Sequence, residues 1–312
     1  MNIEQWDFSE SAPLAELYNV HTAEIPYEYP VDPENFVASI TRPTENLTEE
    51  VLLVAVEAGQ PRGYVHVGMI PDENSSEKGG LIRFLAFPRD RHAMGQTLLD
   101  HAHEYLRDLG VSAFQAFNYG FGYPCAWYGH LKSPWEHLYA LLGSNGYRVE
   151  ERPNLGKPGW GLVMVWPDYE LAEPVLSDKE LEVQMDDTPI FPHLTSYGNL
   201  PTVVVRVFRN GEQVGANETR PYYLPQWNQA PQNMCYTTGM GVNEAERGRG
   251  IGRYLMERSL FEMQRFDCHH ALLDVDPGNF PALMLYASMG YRTIYSTCQM
   301  SKARESAETV ER

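Results

Sequence analysis

A glycine- and arginine-rich turn is the segment of this chain whose residue types could bind a charged ligand. It reads Met-Gly-Val-Asn-Glu-Ala-Glu-Arg-Gly-Arg-Gly-Ile-Gly-Arg from Met240 to Arg253. An apolar run precedes it, and apolar residues recur at helical spacing from Ile251 to Phe266, so we expect a strand, a turn and a helix. Free amides at a helix start attract anions, and the helix dipole adds to this attraction. The turn is therefore predicted to hold a phosphate-bearing cofactor.

A second motif lies one predicted helix and one predicted strand further along. It reads Asn-Phe-Pro-Ala-Leu-Met-Leu-Tyr-Ala-Ser-Met-Gly-Tyr from Asn279 to Tyr291. The turn resembles the acyl-CoA signature of the GNAT superfamily of N-acetyltransferases, Gln/Arg-x-x-Gly-x-Gly/Ala after a strand. The second motif resembles that family's Asn-x-x-Ala-x-x-x-Tyr-x-x-x-Gly-Phe/Tyr pattern. Because both occur in this order, the chain is similar to a tandem, two-domain member of the superfamily.

The resemblance implies direct transfer of an acetyl group from acetyl-CoA to an amine, without a covalent enzyme intermediate. The amides around the glycine turn would hold the pyrophosphate, and the preceding strand would pair with the pantetheine arm. A free amide near the end of that strand would polarise the thioester carbonyl. The implied cofactor contacts are Met240, Gly241, Val242, Arg247, Gly248, Arg249, Gly250, Ile251, Gly252, Arg253 and Asn279.

The same resemblance makes Tyr286 the predicted general acid, which would protonate the departing thiolate. The alternative is an aromatic residue on the buried face of its helix. Asn279 is expected to cap that helix, with a cofactor contact as its second possible role. The strand Met234–Val242 contains no glutamate, so the general base stays open among Glu218, Asp274 and an ordered water.

The elements that would position these residues occur twice along the chain. The first half follows the order β-α-α-β-β-β-α-β-α-β, and much of it recurs after a linker at 170–179. We therefore expect an α/β protein with two tandem acyl-CoA N-acyltransferase (GNAT) domains, each a mixed, mostly antiparallel central sheet flanked by helices. The predicted domains are 1–169, which is degenerate, and 180–312, which is catalytic. In the second copy the two early helices are missing or shrunken.

The first copy departs from the motifs where the chemistry would occur. The replacements are Asp90 for Arg247, Ala93 for Gly250, Trp135 for Asn279 and Leu142 for Tyr286. Asp90 would place negative charge beside a pyrophosphate. We therefore expect the first domain to be catalytically silent, and whether it binds CoA stays open.

Composition limits the remaining function classes. The formal net charge of −18 argues against a nucleic-acid partner. It would favour the approach of a cationic amine, and the alternative is that net acidity only keeps a cytosolic protein soluble. No apolar run is long enough to span a bilayer, the start of the chain has no signal core, and the four cysteines are widely spaced. These features predict a cytoplasmic protein with no membrane partner, and they leave its oligomeric state open.

Two other functions can be compared with the acetyltransferase prediction. A dinucleotide fingerprint would need a third glycine where Arg253 stands, and the histidines lack partners spaced as metal ligands are, so no metal site is predicted. A non-catalytic acyl-CoA-binding sensor or scaffold is the alternative that stays open. The sequence does not name the acceptor, which we expect to be a small-molecule amine.

Overall fold

The computed structural model describes residues 1–71, 78–126, 129–152, 157–158, 160–188, 202–222 and 233–303. The chain forms two compact units. Of the described residues, those up to 160 and from 295 to 303 belong to the first unit, and those between 161 and 294 belong to the second. Within the described ranges, no helix is both long and apolar enough to cross a membrane.

Helices and strands alternate much as the hydrophobic periodicity predicts. The helices are α1 (Leu14–Thr22), α2 (Pro33–Thr41), α3 (His92–Asp108), α4 (Glu136–Ser144), α5 (Ile251–Met263) and α6 (Phe280–Met289). The strands of the first half are β1 (Asn2–Trp6), β2 (Thr48–Glu57), β3 (Gln60–Pro71), β4 (Lys78–Ala86), β5 (Phe114–Ala116), β6 (Leu131–Lys132), β7 (Arg148–Val149), β8 (Glu151–Arg152), β9 (Lys157–Pro158) and β10 (Gly161–Trp166). Those of the second half are β11 (Leu181–Asp186), β12 (Val203–Arg209), β13 (Glu212–Pro221), β14 (Met234–Val242), β15 (His270–Val275), β16 (Arg292–Cys298) and β17 (Met300–Lys302).

Each unit is built on one mixed sheet. The first sheet has the order β1-β2-β3-β4-β5-β17-β7, and the second has the order β11-β12-β13-β14-β15-β10-β16-β6. Most neighbouring strands are antiparallel, whereas β4 with β5 and β14 with β15 are parallel pairs joined through α3 and α5. The predicted α/β class, with two mixed and mostly antiparallel sheets flanked by helices, is confirmed.

Each sheet also contains a strand from the opposite half of the chain. β10 was expected as the last strand of the first copy, but it pairs antiparallel with β15 in the second sheet. β17 comes from the end of the chain and pairs with β5 and β7 in the first sheet. The sequence pattern predicts a final strand near 293–300; β16 covers most of that segment, and β17 follows it as a further strand. Duplicated strands carry similar patterns, so one can take the place of its counterpart, as in domain swapping.

Several predicted boundaries shift by a few residues. The apolar periodicity predicts a helix over 95–109, whereas α3 begins at His92. The β2–β3 turn lies at Ala58 and Gly59, both with positive φ. The dipeptide Asn210-Gly211 is typical of tight hairpin turns, and it forms the turn between β12 and β13 with φ of 52° and 81°. The shortened region after β11 lies mostly at 189–201, outside the described residues.

The second unit depends on a glycine at the end of α6. Gly290 has a φ of +117° and ends the helix, and a Cβ placed there would lie 2.8 Å from the Trp166 indole nitrogen. Gly290→Ala should therefore lower the free energy of unfolding by about 2 kcal/mol or more, through backbone strain and the clash. Gly211→Ala is the matched control, because Gly211 has a φ of +81° and nothing within 4 Å. Chemical denaturation measures the free energy of unfolding of both variants, and equal losses in the two would contradict this prediction.

Candidate functional site

The second sheet opens where β14 and β15 separate. The two strands pair at only three positions, the last being Tyr236 opposite Leu272. β14 continues to Val242 and pairs with β13 along its other edge. Within the described residues, no strand pairs with the β15-facing edge of β14 beyond Tyr236. The backbone groups along this edge are therefore positioned to pair with an extended ligand, as an added strand would.

A β-bulge interrupts β14 beside this opening. Glu218 of β13 lies opposite Gly239, and Thr219 lies opposite Thr237, so Thr238 is the extra residue. A bulge disrupts the hydrogen-bond ladder and re-aims backbone groups. The first unit has a bulge in the corresponding strand pair, where Arg83 is the extra residue. The sequence motifs do not predict this bulge, because a shift in strand register is not tied to particular residue types.

The glycine turn presents the start of α5 without obstruction. Gly248 and Gly250 have φ values of +77° and +84°, a region that glycine adopts far more readily than other residues. Gly250 is the N-cap of α5, and no side chain caps the helix. A Cβ at either glycine would meet nothing within 4 Å. The turn and the first residues of α5 thus border an open cleft, and a helix start in such a position can bind phosphate groups.

A cleft of about 510 Å³ joins this turn to α6. Its lining residues are Met240, Gly241, Val242, Glu246, Arg247, Gly248, Gly250, Ile251, Gly252, Arg253, Asn279, Pro281, Ala282, Leu285 and Tyr286. The structure thus brings together every predicted site residue except Arg249. Residues separated by more than thirty positions in the sequence converge on one cavity.

The three arginines of the turn have different surroundings. Arg247 donates from Nε to the Val242 carbonyl at 3.1 Å, and Arg253 donates to Ser288 at 2.5 Å. Arg249 does not line the cleft, and it lies 3.5 Å from Glu246, which lines the cleft and also binds Arg209 at 3.0 Å. Glu246 was missed, although its i,i+3 spacing to Arg249 is a signal for such an ion pair.

α6 places the second motif on the opposite wall. The Asn279 side chain accepts a hydrogen bond from the Ala282 amide at 3.3 Å, which confirms the predicted helix cap. Asn279 also lines the cleft, so the cap and a cofactor contact are compatible. Tyr286 is 7% exposed, and burial, together with the nearby charge of Asp274, raises the pKa of Tyr286 to about 12. Its hydroxyl therefore remains protonated at neutral pH.

The candidate general bases differ in accessibility. Glu218 is fully buried and forms an ion pair with Arg220. Asp274 is exposed and accepts a hydrogen bond from the Tyr236 hydroxyl. The charge of Asp274 also raises the pKa of Tyr286, the predicted general acid. The geometry favours Asp274 over Glu218 as a proton acceptor.

The corresponding region of the first unit is filled. The Phe87 ring packs against Gly95, where a Cβ would come within 2.4 Å of the ring. At Gly252, the counterpart of Gly95, the nearest atom is 3.5 Å away and belongs to Leu285. Phe87 is 4% exposed, so its side chain occupies space that remains open in the second unit.

The first unit also lacks the polar groups of α6. Trp135 is the N-cap of α4, as Asn279 is of α6, and its side chain makes no capping hydrogen bond. Its indole donates instead to the His21 carbonyl at 2.9 Å. Leu142 is fully buried at the position of Tyr286. Among the described residues of both units, no group of three or more His, Cys, Asp or Glu side chains is arranged to hold a metal ion.

The fold and the site define an α/β protein of two similar units, with a splayed-strand cleft and an uncapped glycine turn in the second. The model of the Acetyltransferase (GNAT) family matches residues 164–291. These residues therefore form a domain of the GNAT acetyltransferase family, as the two motifs predict. No curated protein matches the chain in sequence.

Solved structures extend the likeness to the whole chain. A tandem GNAT protein from the clavulanic acid biosynthesis pathway, solved without AcCoA, has a TM-score of 0.66 at 12% identity, with 96% of this chain and 97% of that chain covered. A GCN5-related N-acetyltransferase from Sphaerobacter thermophilus has a TM-score of 0.60 at 16% identity, with coverages of 96% and 95%.

A third structure is part of a larger protein. It is a GCN5-related glucosamine N-acetyltransferase region within a fungal multi-domain GH3 β-N-acetylglucosaminidase, with a TM-score of 0.66 at 16% identity. The match covers 96% of this chain but only 38% of that one. At such identities the three structures show a shared fold, which here is the tandem GNAT fold.

Proposed function

We propose that the second unit transfers an acetyl group from acetyl-CoA to a primary amine of a small molecule. The observation that carries this proposal is the single cleft that unites the glycine turn with Tyr286. The turn supplies amides for a pyrophosphate, and the open edge of β14 supplies backbone partners for an extended pantetheine arm. The combination fits acyl-CoA better than a free phosphate.

The surrounding residues supply the proton transfers. The acceptor first releases one proton from its ammonium group to solvent. The neutral nitrogen then attacks the thioester carbonyl carbon, forming the C–N bond as the C–S bond breaks. Backbone amides at the Thr238 bulge would stabilise the developing charge on the carbonyl oxygen. Asp274 would accept the proton that the nitrogen loses as the bond forms, and Tyr286 would protonate the departing thiolate. The products are an amide and the free thiol of CoA.

The charge of the chain supports a cationic acceptor. A formal net charge of −18 would attract an ammonium group over long range and would repel nucleic acids. We accordingly propose a small-molecule amine as the partner, with neither a nucleic acid nor a membrane, and a cytoplasmic location.

We expect one CoA to bind per chain, in the second unit. Isothermal titration of the full chain with CoA measures this directly, and thiol release from acetyl-CoA with a panel of amines tests transfer. Two binding sites per chain would mean that the first unit binds CoA despite Phe87. No binding at all would exclude the acetyltransferase and also its alternative, a non-catalytic acyl-CoA sensor.

A further inference from the structure

We propose that the first unit binds a small carboxylate with an apolar body, in a cavity at the end of β4. The cavity has a volume of about 260 Å³. Its lining comes from α1, β3, the end of β4 with the segment after it, and α4: Leu17, Val20, His21, Glu24, Arg62, Ala86, Phe87, Pro88, Arg89 and His137. The proposal concerns the first unit alone, so it does not depend on acetyl transfer by the second.

Two residues that distinguish the first unit from the second also build this cavity. Phe87, whose ring fills the space beside the start of α3, lies edge-on to the His137 ring, with the ring centroids 5.2 Å apart. Trp135, the N-cap of α4, stacks on the His21 ring at 4.9 Å and donates to the His21 carbonyl. The changes that close the cofactor region of this unit therefore position two histidines around a smaller cavity of different chemistry.

The two histidines carry polar atoms that lack a partner. Within the described residues, Nε2 of His21 and both ring nitrogens of His137 are shielded from solvent and form no hydrogen bond. Burial lowers the pKa of His21 to about 3 and the pKa of His137 to about 4, so both rings are neutral at neutral pH and each carries one N–H group. Whichever nitrogen of His137 holds the proton, that N–H has no acceptor. A buried donor without an acceptor is destabilising, so a ligand with acceptor atoms would stabilise this arrangement.

The charged groups around the cavity favour an anionic acceptor. Arg62 and Arg89 line it, and Arg89 forms ion pairs with Glu24 at 2.8 Å and Glu136 at 2.7 Å. The two carboxylates balance the two guanidinium groups, which leaves the imidazole N–H groups and the start of α4 to select the ligand. His137 lies in the first turn of α4, where no side chain caps the helix, so the helix dipole adds partial positive charge. Among the described residues, no third metal-ligating side chain joins the two imidazoles in an arrangement that could hold a metal ion.

The rest of the lining suits an apolar ligand body. It consists of Leu17, Val20, Ala86, Phe87 and Pro88. Val20 is 70% exposed, and an apolar ligand would cover it. An apolar cavity of about 150 Å³ holds benzene, so this larger cavity can hold an aromatic ring together with a carboxylate. The His21 and His137 rings lie 5.3 Å apart, centroid to centroid, so each oxygen of one carboxylate can accept from one ring.

Benzoate is the probe, and isothermal titration of the full chain measures its binding. Wild-type protein should bind benzoate with a Kd of about 1 mM or lower, as expected for a ligand of this size. Benzyl alcohol has a similar shape without the charge, and it should bind about tenfold or more weakly. His137→Phe should weaken benzoate binding by about tenfold or more, because it keeps an aromatic ring and removes both nitrogens. Thermal unfolding should show that this variant folds, since apolar atoms replace polar atoms that lack a partner.

His101→Phe is the matched control, because His101 is exposed on α3 and does not line the cavity. It should bind benzoate as tightly as the wild type does. The proposal is overturned if wild-type protein does not bind benzoate in the millimolar range, if benzyl alcohol binds as tightly as benzoate, or if the two phenylalanine variants bind benzoate equally well. The comparison of the two ligands requires no variant. None of these measurements involves CoA, so a negative result would leave the proposed function of the second unit unaffected.

Discussion

Gly250→Glu should weaken CoA binding by about 100-fold or more, because a carboxylate would compete with the pyrophosphate for the same amides. Gly250 is the N-cap of α5, and open space surrounds the position of its Cβ. The new side chain would therefore fit. Its negative charge would interact favourably with the helix dipole and would repel a phosphate. The substitution should therefore weaken CoA binding while its charge stabilises the folded protein. The positive φ adds a backbone cost of about 1 kcal/mol to the folded state.

Two controls separate these effects. Gly250→Ala carries the same backbone penalty without a charge, so its CoA affinity should fall far less. Gly110→Glu introduces the same residue at another open glycine with a φ of +82°, in the first unit. Isothermal titration of all three variants measures their CoA affinities, and thermal unfolding measures their stabilities. Unchanged CoA binding in Gly250→Glu would remove the turn from the cofactor site.

The sequence predicted those parts of the site in which a residue type is tied to one conformation. Gly248 and Gly250 adopt positive φ, and Asn279 caps α6, as their types and positions suggest. The spacing from Asn279 to Tyr286 corresponds to two helical turns, so both residues reach the same cleft. Local chemistry was sufficient for these assignments.

Other features depend on pairing that no local pattern specifies. The exchange of β10 and β17 between the sheets follows from tertiary assembly, because either copy of a strand satisfies the same ladder. The bulge at Thr238 arises from a shift in register between β13 and β14. The motif assigns Arg249 to the cofactor, yet Arg249 does not line the cleft, and its guanidinium lies 3.5 Å from the Glu246 carboxylate.

The structure also narrows a choice that the sequence left open. Glu218 and Asp274 are equivalent as residue types, but Glu218 is fully buried and paired with Arg220, whereas Asp274 is exposed. A proton acceptor must be accessible to the amine, so burial decides between them. The burial of each carboxylate depends on which strand faces α5 and on which face of the sheet remains open. Both are determined only when the whole sheet is assembled.

Tyr286→Phe should lower kcat for acetyl transfer by about 100- to 1,000-fold while leaving CoA affinity nearly unchanged, since it removes only the proton donor. The pKa of Tyr286 is raised to about 12, so the hydroxyl stays protonated through the neutral and moderately alkaline range. Its loss of the proton would reduce activity only as the pH approaches 12. Between pH 7 and 10 the wild-type rate should therefore not fall on account of Tyr286.

Tyr291→Phe provides the matched control for this prediction. Its ring lies 5.7 Å from that of Tyr286 and is equally buried, but it does not line the cleft. It should retain wild-type kcat, measured as thiol release from acetyl-CoA in the presence of an acceptor amine. If Tyr286→Phe also retains full turnover, the thiolate takes its proton from water, and Tyr286 serves only to pack α6. A different outcome is that the wild type and Tyr286→Phe both bind CoA while the wild type acetylates no amine in the panel. The protein would then have a cofactor site without acetyl transfer, and the non-catalytic sensor would be the better account.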